Sequence, residues 1–460
     1  MNRTTRARLL AGLAAASFVH AAPALAQAAN GAGGGEVTSD IIVTAQRVEQ
    51  RLQDVPISMT VLSQDALSKR NIVNSADLGN YVPSLSVNSN FGAEKTSFVL
   101  RGFTQEGKTS PSVGVYFADV VAPRSFGGTT SGNGAGVGSL FDLQNVQVLK
   151  GPQGTLFGRN TTGGAILLVP QRPTGKLEGY VEGSVGEYNL RRVQAVLNVP
   201  LSDTFRVRLG VDRNVRDGYL INKSGTGPAA FDNVNYTALR LSIVGELTPD
   251  LENYVVASYS RSRTNGDLGK LMACTYPDGS KPNPAVAFLA FTLNPYGCAQ
   301  VARGVARGDG FWSVENSDPD PFERITQWQV INTTSWQASD TLKVKNIVSY
   351  AEYREQASFS LFGDNFLVPP GQPGAGTFFS RSIELHPGFS GYNSQQSTFT
   401  EEFQLQGRMG DDKFIWQAGA YIEVSKPLGF NSGLTGIFTN CTNTIALACT
   451  NDIKLPIPNG

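Results

Sequence analysis

The stretch Phe205-Arg206-Val207-Arg208-Leu209-Gly210-Val211-Asp212 alternates apolar and polar residues without a break. Because successive side chains of a β-strand point to opposite faces, this pattern predicts a strand with one apolar and one polar face. From about residue 177 onward we count about nine such strands, each close to the 9–11 residues that a tilted membrane strand needs. The alternation recurs, with Val196 interrupting its first series, at residues 193–199, 239–243, 342–350 and 414–422.

The lengths of the links between these strands favour a membrane barrel over a soluble β-sandwich. Long links at 214–235, 263–325 and 351–397 alternate with short ones, and only the first outer link, 187–189, is brief. Short turns on one side and long loops on the other are typical of outer-membrane barrels. The polar face is then expected to line the lumen and the apolar face to meet outer-membrane lipid. The short links are residues 200–203, 247–250, 338–340 and 409–412.

The chain begins with a predicted export signal at residues 1–26. Three arginines precede an apolar run that is too short to span a membrane, and Ala24-Leu25-Ala26 fits the small-residue cleavage rule. Residues 27–39 are rich in glycine and alanine and are interpreted as a flexible tether.

Residues 40–47, from Asp40 to Arg47, have strong β tendency after this disordered leader. Either the segment adds as an extra strand to the sheet edge of a partner protein, or it is the first strand of the domain that follows. Residues 48–173 predict a compact mixed α/β domain, with a helix capped by Ser63 and a second helix near residues 75–81.

Composition excludes several function classes. Lys+Arg and Asp+Glu both number 38, so the basic field of a general nucleic-acid binder is missing. His386 is the one histidine after the signal, and it is interpreted as an exposed loop residue; no metal site, cofactor or catalytic triad is predicted. The glycine-rich run 151–164 lacks the phosphate-loop spacing and is interpreted as a tight backbone path. The chain is therefore predicted not to be an enzyme.

The four cysteines form two local pairs in the long links. We expect disulfides between Cys274 and Cys298 and between Cys441 and Cys449, because an exported chain is oxidised and near partners close the smallest loops.

Four charged residues are candidates for a buried contact. Arg101 and Arg159 lie among glycines of the compact domain, and Glu401 and Glu402 lie on a predicted barrel strand. Alternation places Glu402 on the lumenal face, so we expect it to pair with the arginines, whereas Glu401 needs a bulge to point inward. The alternative is a solvated charge run on the surface.

These stretches resemble TonB-dependent receptors. Ile41-Ile42-Val43-Thr44-Ala45 is similar to the TonB box of that family, and Val146 to Asn160 is similar to its most specific plug-domain motif. Shorter matches cover three further plug motifs and one barrel motif, at residues 55–58, 98–103, 113–119 and 400–405.

The resemblance implies a plug domain (48–173) inside a 22-stranded barrel, with residues 174–460 supplying about nine strands. The fold class is thus mostly β, with a mixed α/β plug and an incomplete antiparallel transmembrane barrel. Nine strands cannot close such a barrel, and an open edge in lipid leaves backbone groups unpaired, so we expect a fragment of a longer receptor.

The resemblance also implies a function. The inner-membrane protein TonB is the expected partner of the box, and the ligand is expected to be a scarce, bulky nutrient such as a ferric siderophore. Arg101, Arg159 and a glutamate of the pair Glu401–Glu402 are similar to the family's plug–barrel lock. A passive porin, an adhesive surface barrel and a non-functional fragment remain alternatives.

Overall fold

The computed structural model describes only part of the 460-residue chain. The predicted signal (1–26), the tether (27–39) and His386 lie outside the described residues. Described are residues 41–89, 92, 95–105, 109–124, 136, 138, 140–274, 287–360, 363–367, 379–383, 392–410, 413–429, 434–443, 446 and 448–450.

Residues 43–173, here called the compact region, are built from short elements around a small sheet. The order in this five-stranded sheet is β3-β8-β9-β6-β7, and β6 pairs with β9 in parallel. The strands up to residue 170 are β1 (Ile42–Val43), β2 (Gln50–Arg51), β3 (Met59–Ser63), β4 (Leu85–Asn88), β5 (Ser97–Leu100), β6 (Val113–Phe117), β7 (Val120–Val121), β8 (Leu143–Lys150) and β9 (Gly164–Pro170). The helices are α1 (Gln64–Lys69) and α2 (Gly154–Phe157), with 3-10 helices at Leu52–Asp54 and Ser75–Asn80.

Both predicted helices of this region are present, but the second is a 3-10 helix. The Ser63 side chain accepts a hydrogen bond from the Ala66 backbone N at 3.2 Å, which confirms the predicted N-cap of α1. Asn74 and Asp77 form a reciprocal capping box, in which the Asp77 carboxylate accepts from the Asn74 backbone N at 3.0 Å. The box satisfies the first backbone N–H groups of this six-residue helix.

Nine long antiparallel strands follow within the described residues, here called the wall, and they confirm the predicted strand count. Each pairs with the next in sequence among these nine, and short turns join β11 to β12, β15 to β16, β18 to β19 and β21 to β22. The wall consists of β10 (Glu178–Gly186), β11 (Leu190–Pro200), β12 (Phe205–Arg216), β15 (Val234–Thr248), β16 (Leu251–Thr264), β18 (Phe322–Ser339), β19 (Leu342–Phe359), β21 (Ser394–Met409) and β22 (Phe414–Pro427).

The remaining elements lie in the long links and beyond the last wall strand. They are β13 (Leu220–Asn222), β14 (Ala230–Phe231), α3 (Ala287–Arg307), β17 (Ser313–Val314), β20 (Phe379–Ile383), β23 (Leu434–Asn443) and β24 (Ala448–Thr450). A search of the described residues for a helix long and apolar enough to cross a membrane finds none.

Burial along the wall is inverted relative to a soluble sheet. On β12 the charged Arg208 and Asp212 are buried, whereas Phe205 and Leu209 are 42% and 54% exposed. The polar face therefore points inward and the apolar face outward, as the alternation predicts. Val196, the interruption in the sequence pattern, points inward and packs on Phe141.

The inward face of the wall shares one apolar core with the compact region. Leu62, Phe98 and Val148 of the compact region cluster with residues of four different wall strands, namely Val244, Tyr254, Val256, Ile331 and Ile347. Contacts to the compact region extend from β11 to β22, so the wall curves around it. Among the described residues β22 pairs only with β21, and most of its residues are exposed on both faces, so the wall is open at this edge.

Candidate functional site

The segment predicted to contact TonB is only partly exposed. Ile41 and Ile42 are 49% and 39% exposed, whereas Val43 and Ala45 are fully buried in an apolar cluster of the compact region. The Thr44 backbone N donates to Gln147 Oε1 on β8 at 3.2 Å. The segment therefore passes from an exposed start to a buried end within five residues.

Arg47 ends this segment and fastens it to the compact region. Its backbone is left-handed (φ 65°) and the residue is buried. Its guanidinium donates to the carbonyl oxygens of Asp119 at 2.7 Å and Leu156 at 3.2 Å, and lies 4.3 Å from the Phe157 ring centroid. A cation held by carbonyl oxygens and an aromatic face is well compensated for the loss of water.

Arg47 also contacts the wall. Its Nη2 lies 3.6 Å from Glu402 Oε2, and its carbonyl oxygen accepts from Gln406 Nε2 at 3.2 Å. One residue thus ties the end of the segment to both the compact region and strand β21.

Strand β21 presents Glu402, not Glu401, to the interior. Thr400 and Gln404 flank Glu402 on the buried face, and Gln404 Nε2 donates to Glu402 Oε1 at 2.7 Å. Glu401 lies on the opposite, exposed face and accepts from Asn346 Nδ2 at 3.2 Å. Plain strand alternation therefore accounts for both glutamates.

The predicted pairing of the arginines with Glu402 is replaced by another pairing. Arg159 Nη2 lies 2.7 Å from Glu423 Oε1 on β22, and Arg124 Nη2 lies 2.6 Å from the same oxygen. Glu402 pairs with Arg47 instead, because β22 rather than β21 faces Arg159. Among the described residues no ion pair of Arg101 is found; its backbone N donates to Ser84 O at 3.4 Å and its side chain lies beside Gly151.

Asp119 is a second junction between the compact region and the wall. Lys345 Nζ on β19 lies 3.0 Å from Asp119 Oδ2, and Arg47 Nη1 lies 3.9 Å from Asp119 Oδ1. Burial alone would raise the pKa of the Asp119 carboxyl, but Lys345 and Arg47 outweigh it and hold this pKa below its usual value.

A cavity of about 680 Å³ separates the compact region from β21 and β22. Its lining mixes apolar residues with the ionic groups just described, together with Thr400, Gln404, Gln417 and Tyr421. No cluster of metal-binding residues occurs in the part of the chain that the structure describes. Because of the cavity, this side of the compact region has room to move relative to β21 and β22.

The side of the compact region that faces β12 and β15 is held by buried arginines of the wall. Arg208 on β12 donates to both carboxylate oxygens of Asp142, at 2.6 to 3.2 Å. Arg240 on β15 donates to the carbonyl oxygens of Phe141 and Asp142 at 2.5 and 3.0 Å, and its guanidinium lies 4.6 Å from the Phe141 ring centroid.

Comparison with known proteins identifies the compact region. Residues 51–165 match the family model of the TonB-dependent receptor plug domain. Residues 51–165 of this chain therefore form a plug domain of the TonB-dependent receptor type. The compact region is therefore called the plug from here on, while its predicted outer limits, residues 48 and 173, stay predictions.

Similar receptors are found by sequence and by fold. The chain is 30% identical to the pesticin receptor of Yersinia pestis over 187 residues, covering 40% of this chain and 26% of that receptor. It is 25% identical to the ferripyoverdine receptor of Pseudomonas aeruginosa over 174 residues, covering 38% of this chain and 20% of that receptor. The crystal structure of the ferric yersiniabactin uptake receptor FyuA from Yersinia pestis matches with a TM-score of 0.57 at 19% identity, covering 80% of this chain and 48% of FyuA.

The chain thus spans less than half the length of the receptors it matches. The similarity to FyuA, at 19% identity, shows the fold alone. Together these findings confirm the predicted family and the predicted fold class of a mixed plug followed by part of an antiparallel barrel.

The cysteines lie where local pairing is possible. Cys274 and Cys298 form a disulfide with a Cα–Cα distance of 4.9 Å. Cys441 is opposite Cys449 in the register of β23 and β24, and Cys449 is disulfide-bonded.

Sequence analysis missed four of the residues that join the plug to the wall. Glu423 had a usable signal, because alternation along β22 places it on the face opposite to Trp416 and Ile422. The others, Arg47, Asp119 and Arg124, carry no signal for their partners, since each partner lies far away in the sequence.

Proposed function

We propose that the chain carries the plug and the first barrel strands of an outer-membrane receptor for TonB-dependent uptake of a ferric siderophore. The supporting observation is a folded plug whose core packs on the inward side chains of a wall that is apolar outside. The proposal assigns the chain no catalytic role and no cofactor.

The outward face of the wall supports a location in the outer membrane. Leu209, Leu239 and Phe403, on three different strands, are 54%, 43% and 42% exposed. Such a surface is costly in water and favourable in lipid, whereas the inward arginines, glutamines and serines need polar partners. Outer-membrane lipid is therefore a proposed partner of this face.

The segment at residues 41–45 supports coupling to TonB. Ile41 and Ile42 are accessible to a partner protein, and β-strand addition uses a short extended segment of this kind. A pull on the segment would reach Arg47 within two residues of Ala45. From Arg47 the force would pass to Asp119 in the plug and to Glu402 in the wall.

The proposed class of ligand comes from the names of similar receptors. The names of two similar receptors refer to ferripyoverdine and ferric yersiniabactin. A ferric siderophore bound at the outer ends of the strands is therefore the proposed cargo.

Deletion of residues 41–45 in the complete receptor tests the proposal. We expect uptake of iron-55 from a panel of ferric siderophores to be abolished while binding of the same siderophore to whole cells persists. The matched control is Glu49→Ala, which changes an exposed or half-exposed residue just beyond the segment and should leave uptake unchanged. Undiminished uptake after the deletion would refute coupling through this segment.

A passive porin is the second candidate. A porin needs an open lumen, whereas this wall buries Val244, Val256 and Ile331 against plug residues. Conductance through the complete receptor in planar bilayers separates the two. We expect a closed barrel, and a steady water-filled conductance without TonB would favour the porin.

A further inference from the structure

Lys95 of the plug is buried between two glutamates of the wall. Its Nζ lies 2.6 Å from Glu323 Oε1 and 2.5 Å from Glu355 Oε1. The three side chains are 3%, 5% and 2% exposed. This triad lies apart from Arg47, Asp119 and Glu423 and involves different plug residues and a different pair of wall glutamates.

The triad lies where the plug meets the ends of two long outer links. Lys95 belongs to the loop between β4 and β5, and Glu323 is the second residue of β18, directly after the link 265–321. Glu355 precedes the link that runs from residue 360 to residue 393. At the far end of that link, Asn393 donates its backbone N to Glu355 O at 3.0 Å and its Nδ2 to Glu355 Oε1 at 3.3 Å.

The electrostatics make Lys95 indispensable to this arrangement. Two buried carboxylates repel each other, and the ammonium between them is the cation that the structure gives to both. Burial by itself would lower the pKa of Lys95, but Glu323 and Glu355 outweigh burial and raise this pKa above its ordinary value. Lys95 is therefore charged and bridges the two glutamates, while Glu355 is also held by hydrogen bonds from Tyr353 and Asn393.

We propose that Lys95 is a positioning residue that couples the two outer links to the plug through Glu323 and Glu355. A ligand that shifts either link displaces Glu323 or Glu355, and the displaced carboxylate moves Lys95 and its loop. The inference rests on the proposed uptake function, for which it supplies a route from the outer links to the plug. The route is separate from the contacts of Arg47 near the TonB-binding segment.

Labelling of a cysteine introduced at Ser89 tests the coupling in the purified, oxidised, detergent-solubilised chain. Ser89 is half-buried at the start of the loop. In Lys95→Met we expect a maleimide to react at this position about tenfold faster, because the loop loses its attachment to the wall. The matched control, Lys345→Met, removes another plug–wall ion pair and should leave the rate at Ser89 unchanged.

A double-mutant cycle separates coupling from simple destabilisation. Asn393→Ala loosens the link that holds Glu355, so it should raise the labelling rate at Ser89 in the parent chain. In the Lys95→Met background the same substitution should add nothing, because the connection is already broken. The proposal would be overturned if the two substitutions raised the labelling rate by the product of their separate fold-changes, or if Lys95→Met left the rate unchanged.

A neutral triple variant keeps the test decisive if Lys95→Met does not fold. Glu323→Gln and Glu355→Gln added to Lys95→Met remove the buried repulsion, and this variant should fold with the loop open. A closed loop in the triple variant would also overturn the proposal. All readouts are made without transport, so a failure of uptake leaves the coupling result standing.

Discussion

The plug is attached to the wall on two sides in two different ways. On β12, Arg208 forms a bidentate ion pair with Asp142, and both side chains are less than one-tenth exposed. On β15, Arg240 donates to the carbonyl oxygens of Phe141 and Asp142 and lies over the Phe141 ring. These contacts are short, multiple and buried. We call this set the fixed side.

At β19, β21 and β22 the attachment is looser. The Arg47–Glu402 pair is 3.6 Å long, and Arg159, which shares Glu423 with Arg124, has a side chain that is 66% exposed. The cavity of about 680 Å³ lies between these groups. We call this set the mobile side.

This difference indicates which contacts between the plug and the wall should break first when residues 41–45 are pulled. Breaking a buried, bidentate ion pair leaves a charge without a partner. A half-exposed charge beside a cavity, in contrast, can be solvated by water that enters the cavity. On the fixed side the cavity beside Phe141 and Arg240 has a volume of only about 40 Å³, which is too small for a displaced segment. A pull on residues 41–45 is therefore expected to open a path along β21 and β22 while Asp142 stays attached.

The largest effect is expected from Arg208→Met. The substitution leaves the Asp142 carboxylate buried without its bidentate partner and should lower the free energy of unfolding by about 3–5 kcal/mol. Urea denaturation of the detergent-folded protein, followed by tryptophan fluorescence, measures the loss.

The double variant Arg208→Met with Asp142→Leu is the control for this prediction. It removes both charges and should recover most of the lost stability. A single variant as stable as the parent chain would show that the fixed side is not fixed by this pair.

A smaller effect is expected from Arg47→Met on the mobile side. We expect a loss of about 1–2 kcal/mol, because the carbonyl and aromatic contacts of a partly compensated cation are lost next to a cavity that admits water. A cysteine at the buried position Val43 should also react several-fold faster with a maleimide.

Arg51→Met serves as the matched control, since the Arg51–Asp54 pair is about half exposed on both sides. It should change neither stability nor labelling at residue 43. A loss in Arg47→Met as large as in Arg208→Met would remove the distinction between the two sides.

The strands of the wall could be predicted from the sequence because the alternation of apolar and polar residues is visible within each strand alone. Alternation along β12 requires only neighbouring residues, and a lipid-facing surface makes the pattern strong at Phe205 and Leu209. The inward direction of Glu402 follows from the same rule. Val196 broke the pattern for a reason that only the fold reveals, namely that it packs on Phe141 of the plug.

Partners across the plug–wall boundary were not predictable in the same way. Arg159 and Glu423 are 264 residues apart, and Arg47 and Glu402 are 355 apart. Alternation restricts each wall residue to a face but does not specify its height along the strand relative to the plug. From the sequence, Glu402 was one of several inward-facing carboxylates that could pair with Arg159. In the structure the register of β22 brings Glu423 to Arg159 instead.

Glu423→Gln tests the shared carboxylate of the mobile side and should cost about 1 kcal/mol or less. The effect is small because the Arg159 side chain is 66% exposed already, and because a glutamine oxygen at position 423 can still accept a hydrogen bond from the mostly buried Arg124. The free energy of unfolding measures it, with Glu401→Gln on the exposed face of β21 as the control that should change nothing. A loss of several kcal/mol would place Glu423 with the fixed side and shift the expected path away from β22.

The smallest effect is a pH dependence at Asp119. Because Lys345 and Arg47 depress its pKa in the folded protein, Asp119 binds protons more readily when unfolded. Its contribution is therefore fully present above the ordinary aspartate pKa of about 3.9 and is lost as the pH falls below that value. The stability difference between the parent chain and Asp119→Asn should be constant from pH 7 to about pH 5 and close as the pH approaches about 3. In a Lys345→Met background the difference should close at a higher pH, because the group that lowers the pKa of Asp119 most is gone. A difference that grows on acidification would mean that Asp119 is held neutral, and the mobile side would then lack the charge that links Arg47 to the wall strand β19.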